Sequence, residues 1–209
     1  MDELYPEGEP GEARSGDGTR LHYITVGEGL PLVFCNGVLC TYTFFHFCKD
    51  YFKDRCRMLF WDYRGHARSE TPDDLESINI VDHARDLAAV MDAAGMEEAV
   101  LLGHSMGVMV LLEFYRLFPE RVKALVLLDG PYRNAFSLFC RSDQFHLFVH
   151  RLLGFLSHHP CLAGWSRPVM ALPIDLPLAK LVDVNPRRCP KRETDFYLRN
   201  ISIWISRPP

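Results

Sequence analysis

Ala99-Val100-Leu101-Leu102-Gly103-His104-Ser105-Met106-Gly107-Val108-Met109-Val110-Leu111-Leu112-Glu113-Phe114 changes its pattern in the middle. Residues 99–102 are continuously apolar, as expected of a strand buried on both faces. Residues 106–118 are apolar nearly all round, through Met109, Val110, Leu112, Phe114 and Leu117. That predicts a buried helix, and Pro119 ends it. Only Gly103, His104 and Ser105 separate strand from helix, which leaves room only for a sharp turn.

The flanking sequence repeats this alternation. Leu32-Val33-Phe34-Cys35, Met58-Leu59-Phe60-Trp61 and Ala124-Leu125-Val126-Leu127-Leu128 are further short apolar runs bounded by turn residues. Residues 80–94 place Ile80, Ala84, Leu87, Ala88 and Met91 on one helical face, with Asn79 as N-cap and Gly95 as stop. Thr19 to Val26 alternates loosely and reads as an edge strand. Strands alternating with helices predict an α/β fold with a mostly parallel sheet and flanking helices. In such sheets ligands bind beyond the carboxyl ends of the strands.

Gly103-His104-Ser105-Met106-Gly107 is a G-x-S-x-G placed where a nucleophile elbow requires it. Gly103 and Gly107 allow neighbouring backbone to approach. The Ser105 hydroxyl is presented at the strand's end, beside a helix N-terminus that favours developing negative charge. Met106 N–H is placed to stabilise an oxyanion. Asn36-Gly37-Val38 follows an earlier strand at the same end of the sheet. There Val38 N–H is the candidate second oxyanion donor, with Gly37 permitting the geometry. Asp62-Tyr63-Arg64-Gly65-His66-Ala67-Arg68-Ser69 leaves a third strand, and its charges predict a loop pinned by hydrogen bonds.

Composition bounds the rest. Hydrophobic residues are 48%, charged residues 24% and net charge is −4, which fits a globular chain and gives no basis for nucleic-acid binding. No apolar run is long enough to span a bilayer, and the acidic start lacks the apolar stretch of a signal peptide. Seven cysteines without a CxxC pair predict reduced thiols and a cytoplasmic setting. Residues 131–209 carry 11 basic against 5 acidic side chains, whereas residues 1–130 carry 12 basic against 22 acidic. This shift predicts a boundary near 130. Residues 1–17 are expected to be a flexible acidic tail, 18–131 the core, and 132–209 a helical layer. In that layer Phe145, Phe148, Val149, Leu152 and Leu156 form one stripe, while residues 193–205 are ambiguous between helix and strand.

The elbow, the Asn36-Gly37-Val38 loop, the Asp62-x-Arg64-Gly65-x-Ala67-x-Ser69 turn and the strand Val122–Asp129 together resemble the α/β-hydrolase family with a lid, over roughly residues 18–200. The resemblance implies a serine hydrolase of the esterase or lipase kind, acting on a carboxylic ester or related acyl compound without cofactor or metal. Carbon–carbon bond hydrolysis would use the same parts. Dehalogenase or epoxide hydrolase chemistry would resemble an Asp at the elbow, where this chain has Ser105. Two departures leave the backbone donors in place: Asn36 stands where the family commonly has His, and Ala67 where it usually has Gly.

The family order is Ser, then acid, then His, on loops after two further strands beyond the lid. The resemblance therefore implies that these 209 residues stop short of that acid and base. His22, His46, His66 and His83 precede the elbow, and His104 adjoins Ser105. His146, His150, His158 and His159 fall in the expected lid, so no general base is identified. Asp129 is the alternative position for the acid, or a cap for the loop with Gly130. Three outcomes follow: a serine hydrolase with an apolar acyl substrate, a catalytically inactive relative that serves as a binding module, or a chain that self-associates through an open sheet edge.

Overall fold

The computed structural model describes residues 8–38 and 40–132. Six strands are present: β1 (Glu9–Arg14), β2 (Arg20–Val26), β3 (Leu30–Cys35), β4 (Cys56–Trp61), β5 (Ala99–His104) and β6 (Val122–Leu128). Three helices connect them: α1 (His46–Phe52), α2 (Ile80–Ala93) and α3 (Met106–Leu117). The strands form one sheet in the order β1-β2-β4-β3-β5-β6. β4, β3, β5 and β6 run parallel to one another, and β2 and β1 add on antiparallel. The expected α/β architecture with a mostly parallel sheet is the one observed.

Cover on both faces explains the apolar runs of β3, β4 and β5; the run at 124–128, expected to be buried likewise, is largely exposed in β6 because that strand is the outer edge of the described sheet. Val33, Cys35, Leu59, Trp61 and Leu101 pack with Ala84, Leu87 and Met91 of α2 and Val110, Leu111 and Phe114 of α3. Their alternate neighbours Leu32, Phe34, Met58, Phe60 and Leu102 pack with Phe45 on the opposite face. α2 starts as expected, with Asn79 Oδ1 accepting from Asp82 N, and Gly95 follows its end at φ 65°.

Two expectations near the N-terminus are corrected. Residues 9–14, assigned to a flexible tail, form β1, which pairs from Glu9↔Thr25 to Arg14↔Arg20. The strand is polar and largely exposed, so its sequence lacks the alternation that marks a half-buried strand. β2 is consequently an inner strand and not an edge. The Phe145–Leu156 stripe, residues 193–205, the helical layer at 132–209 and its four histidines lie outside the described residues.

Because β3, β4, β5 and β6 are parallel, their carboxyl ends emerge together. Asn36, Asp62, Ser105 and Asp129 therefore share one end of the sheet, each as the first residue after its strand.

Candidate active site

Ser105 is the junction of β5 and α3. It has φ 53° and ψ −116°, a conformation that side-chain-bearing residues rarely adopt. Two backbone hydrogen bonds hold it there. Its N–H donates to Leu128 O of β6 at 3.1 Å, and its carbonyl accepts from Val108 N at 3.0 Å. Gly107 lies so close to β3 that a Cβ there would collide with the Cys35 carbonyl and sit 3.0 Å from Asn36 O. Gly103 faces Gly107 itself, with a Cβ position 2.8 Å from the Gly107 carbonyl carbon. The motif glycines are thus required by the approach of β3 and α3 to the turn.

Gly37 stands across from Ser105. A Cβ on Gly37 would lie 3.3 Å from Ser105 Cβ, 3.4 Å from Cys40 Sγ and 3.4 Å from His104 Nδ1. Ser105, Gly37 and the His104 imidazole therefore meet within one small volume. Val38 follows and is exposed. Met106 is the first residue of α3, in the first turn where helix N–H groups lack intrahelical acceptors. The expected nucleophile, the expected donors and the glycines Gly37, Gly103 and Gly107 are all at this end of the sheet.

Asp129 has φ 42° and follows β6, whose last residue pairs with His104. The chain then turns back on the elbow, with the Gly130 Cβ position 2.5 Å from Ser105 O. Burial lowers the His104 pKa, and the Asp129 carboxylate pulls in the other direction. His104 Nδ1 is buried without a hydrogen-bond partner among the described residues.

Two neighbours of the site carry no sequence signal. Phe44 stacks on the His104 ring with centroids 4.3 Å apart, and through Phe45 this contact reaches the core pair Phe34 and Phe60. Cys40 reaches the site through its Sγ. Both lie in a loop whose periodicity announced neither the 3₁₀ turn Tyr42–Phe45 nor α1. Among the described residues, no group of three or more His, Cys, Asp or Glu is arranged to hold a metal ion. No helix among them is long and apolar enough to cross a membrane.

The 62–69 turn does what its charges predicted. Arg64 is buried and forms a two-pronged pair with Asp86 of α2, Nε and Nη2 each 2.6 Å from a carboxylate oxygen. It also reaches Asp17 and Ser15 at 2.7 Å. The Asp17 carboxyl is held at about 2: burial pushes it up, but hydrogen bonds from Thr19 and the Arg64 charge outweigh that. Ser69 Oγ donates to Asp62 O at 2.6 Å and accepts from His22 N at 2.9 Å.

Residues 31–160 match the family described as the alpha/beta hydrolase fold. RutD of Azorhizobium caulinodans, which carries the name of a carbamate hydrolase, is 32% identical over 118 residues, 56% of this chain and 43% of its own length. Epoxide hydrolase 4 of Mus musculus is 28% identical over 134 residues, 63% of this chain and 37% of its own. The crystal structure of an epoxide hydrolase from Vigna radiata superposes with a TM-score of 0.57 at 25% identity, covering 61% of this chain and 39% of that one. The chain spans less than half the length of each of these relatives.

Proposed function

From the membership of this chain in the alpha/beta hydrolase fold family, whose match covers residues 31–160, we propose that it is a serine hydrolase acting on a carboxylic ester or related acyl compound. Ser105 Oγ attacks the carbonyl carbon, and the N–H groups of Val38 and Met106 hold the resulting oxyanion. The observation that carries this is the strained backbone of Ser105, set directly across from Gly37. Strain of that kind persists only where the surroundings impose it, and here it lifts a hydroxyl to the end of the sheet. Carbamate hydrolysis, the activity in the RutD name, is acyl chemistry of this class. The epoxide hydrolase names do not direct the proposal, because the residue at this elbow is serine.

The base that takes the Ser105 proton is left unassigned. His104 is the one described histidine on the elbow, and Asp129 is the carboxylate beside it. We place the activity in the cytoplasm, with Cys35, Cys48 and Cys56 as thiols. The test uses the 209-residue protein, a fluorophosphonate probe and a short-chain aryl ester. Labelling and turnover that vanish in Ser105→Ala support the hydrolase. A folded sample with neither is the inactive binding module.

A second proposal rests on β6. It forms the outer edge of the described sheet, and Val126, Leu127 and Leu128 are each about two-fifths exposed, at 38%, 43% and 40%. We propose that copies of the chain associate through this edge. Light scattering decides it: a dispersed monomer at all concentrations rules this out.

A further inference from the structure

We infer that Tyr63 is a positioning residue for the oxyanion loop, acting through one hydrogen bond from its hydroxyl to the carbonyl of Asn36. This rests on the serine-hydrolase proposal above and adds a residue to it. Tyr63 sits in the turn after β4, two residues past the strand's end, and belongs to no part of the proposed chemistry. Its side chain is 1% exposed, yet its hydroxyl is spent on another loop: Oη donates to Asn36 O at 2.9 Å. Asn36 is itself 1% exposed. It is the hinge between β3, fixed in the sheet, and Gly37-Val38, which carries the proposed donor.

The geometry gives this bond leverage. The Asn36 carbonyl and the Gly37 N–H belong to one rigid peptide plane. Fixing the carbonyl direction fixes that plane, and the next peptide plane is the one that presents Val38 N–H. Other contacts constrain the same hinge. Gly107 of α3 packs against the Cys35 carbonyl and lies near Asn36 O, and Asn36 Nδ2 donates to Trp61 O at 3.4 Å. The start of the oxyanion loop is thereby held by the elbow helix and by the Tyr63 hydroxyl together. A donor displaced by a fraction of an ångström from the developing charge loses much of its effect, because such stabilisation depends on preorganised distance.

The hydroxyl is a dependable clamp. Burial, with the neighbouring Cys35 thiol, pushes the Tyr63 pKa well above the usual phenol range, so the hydroxyl keeps its proton at neutral pH. The ring is held independently, edge-on to Trp61 at 4.6 Å and tilted against His83 at 4.7 Å. Removing the oxygen alone therefore leaves the packing in place.

The experiment compares the 209-residue protein with Tyr63→Phe by two readouts. Fluorophosphonate labelling of Ser105 and hydrolysis of a short-chain aryl ester report on the chemistry. Amide NMR signals of Gly37 and Val38 report on the loop. The expected result is labelling slowed by about tenfold and kcat lowered similarly with KM unchanged, the signature of support lost in the transition state. The Gly37 and Val38 signals shift or broaden, while those of α2 stay in place. Wild-type labelling with an unchanged rate in Tyr63→Phe overturns the positioning role. Unchanged Gly37 and Val38 signals overturn it whether or not Ser105 reacts. Absence of labelling in the wild type overturns the serine-hydrolase proposal instead, and the amide signals still decide the clamp.

Discussion

Two turns leave neighbouring parts of the same sheet end, and they are built in different ways. The 62–69 turn is held by side chains: Arg64 to Asp86, Asp17 and Ser15, and Ser69 to Asp62 and His22. The 103–107 elbow is held by backbone: Ser105 N–H to Leu128 O, and two glycines that admit β3 and α3. Each turn contains a residue other than glycine at positive φ, Ala67 at 42° and Ser105 at 53°. A turn fixed by its own side chains has those side chains committed to the fold. A turn fixed by backbone leaves the Ser105 hydroxyl available. The difference explains why only the elbow is a candidate for chemistry, and it sets what mutation does to each.

The largest effect is expected from Asp86→Ala. It leaves the Arg64 guanidinium buried without its two-pronged partner, and breaking such a pair costs about 3–5 kcal/mol. Urea unfolding at neutral pH measures it. A loss below about 1 kcal/mol would mean that Asp17 and Ser15 suffice to hold the turn. Gly107→Ala attacks the elbow instead. Its Cβ meets the Cys35 carbonyl, a backbone atom that cannot swing aside, so overpacking is expected to cost about 1–3 kcal/mol. The two variants separate the turns. Among molecules that remain folded, Gly107→Ala should slow Ser105 labelling more than Asp86→Ala does.

Acid sharpens the same contrast. His83 packs under the 62–69 turn, and burial, followed by nearby His66 and Arg64, pushes its pKa down to about 3. A histidine that is neutral when folded and free to protonate when unfolded contributes full stability above about pH 6.5. That contribution falls with pH, by up to about 1.4 kcal/mol per unit, until the folded pKa is reached. Unfolding midpoints measured between pH 7 and 4 should therefore decline, and His83→Leu should flatten the decline. At the elbow, burial lowers the His104 pKa while Asp129 opposes the shift, so His104→Leu should flatten it less.

How much was legible follows the same division. The strands β3, β4 and β5 and both long helices were readable because burial on two faces, or on one helical face, leaves its mark in the sequence. The elbow was readable because its glycines are demanded by contacts only glycine allows. β1 was not, since an exposed polar strand pairs through backbone groups that every residue carries. The clamp from Tyr63 to Asn36 was not, since it joins residues 27 apart through one hydroxyl and one carbonyl. Phe44 was not, because its stacking on His104 depends on a 3₁₀ turn that no periodicity marks.

The smallest effect bears on the strained residue of each of these two turns. Alanine at φ 42° is disfavoured by about 1–2 kcal/mol, and glycine returns part of that gain to the unfolded chain as entropy. Ala67→Gly should therefore stabilise the protein by about 0.5–1 kcal/mol, read as a higher urea midpoint, and should leave Ser105 labelling untouched. Ser105→Gly relieves the same kind of strain and should also raise the midpoint, but it removes the hydroxyl and with it all labelling. If both variants gain stability and only one loses labelling, the strain at 67 is incidental to the turn and the strain at 105 is what holds a nucleophile in place. If Ser105→Gly gains nothing, the backbone contacts around the elbow impose its conformation at no cost, and the hydroxyl is presented without stored strain.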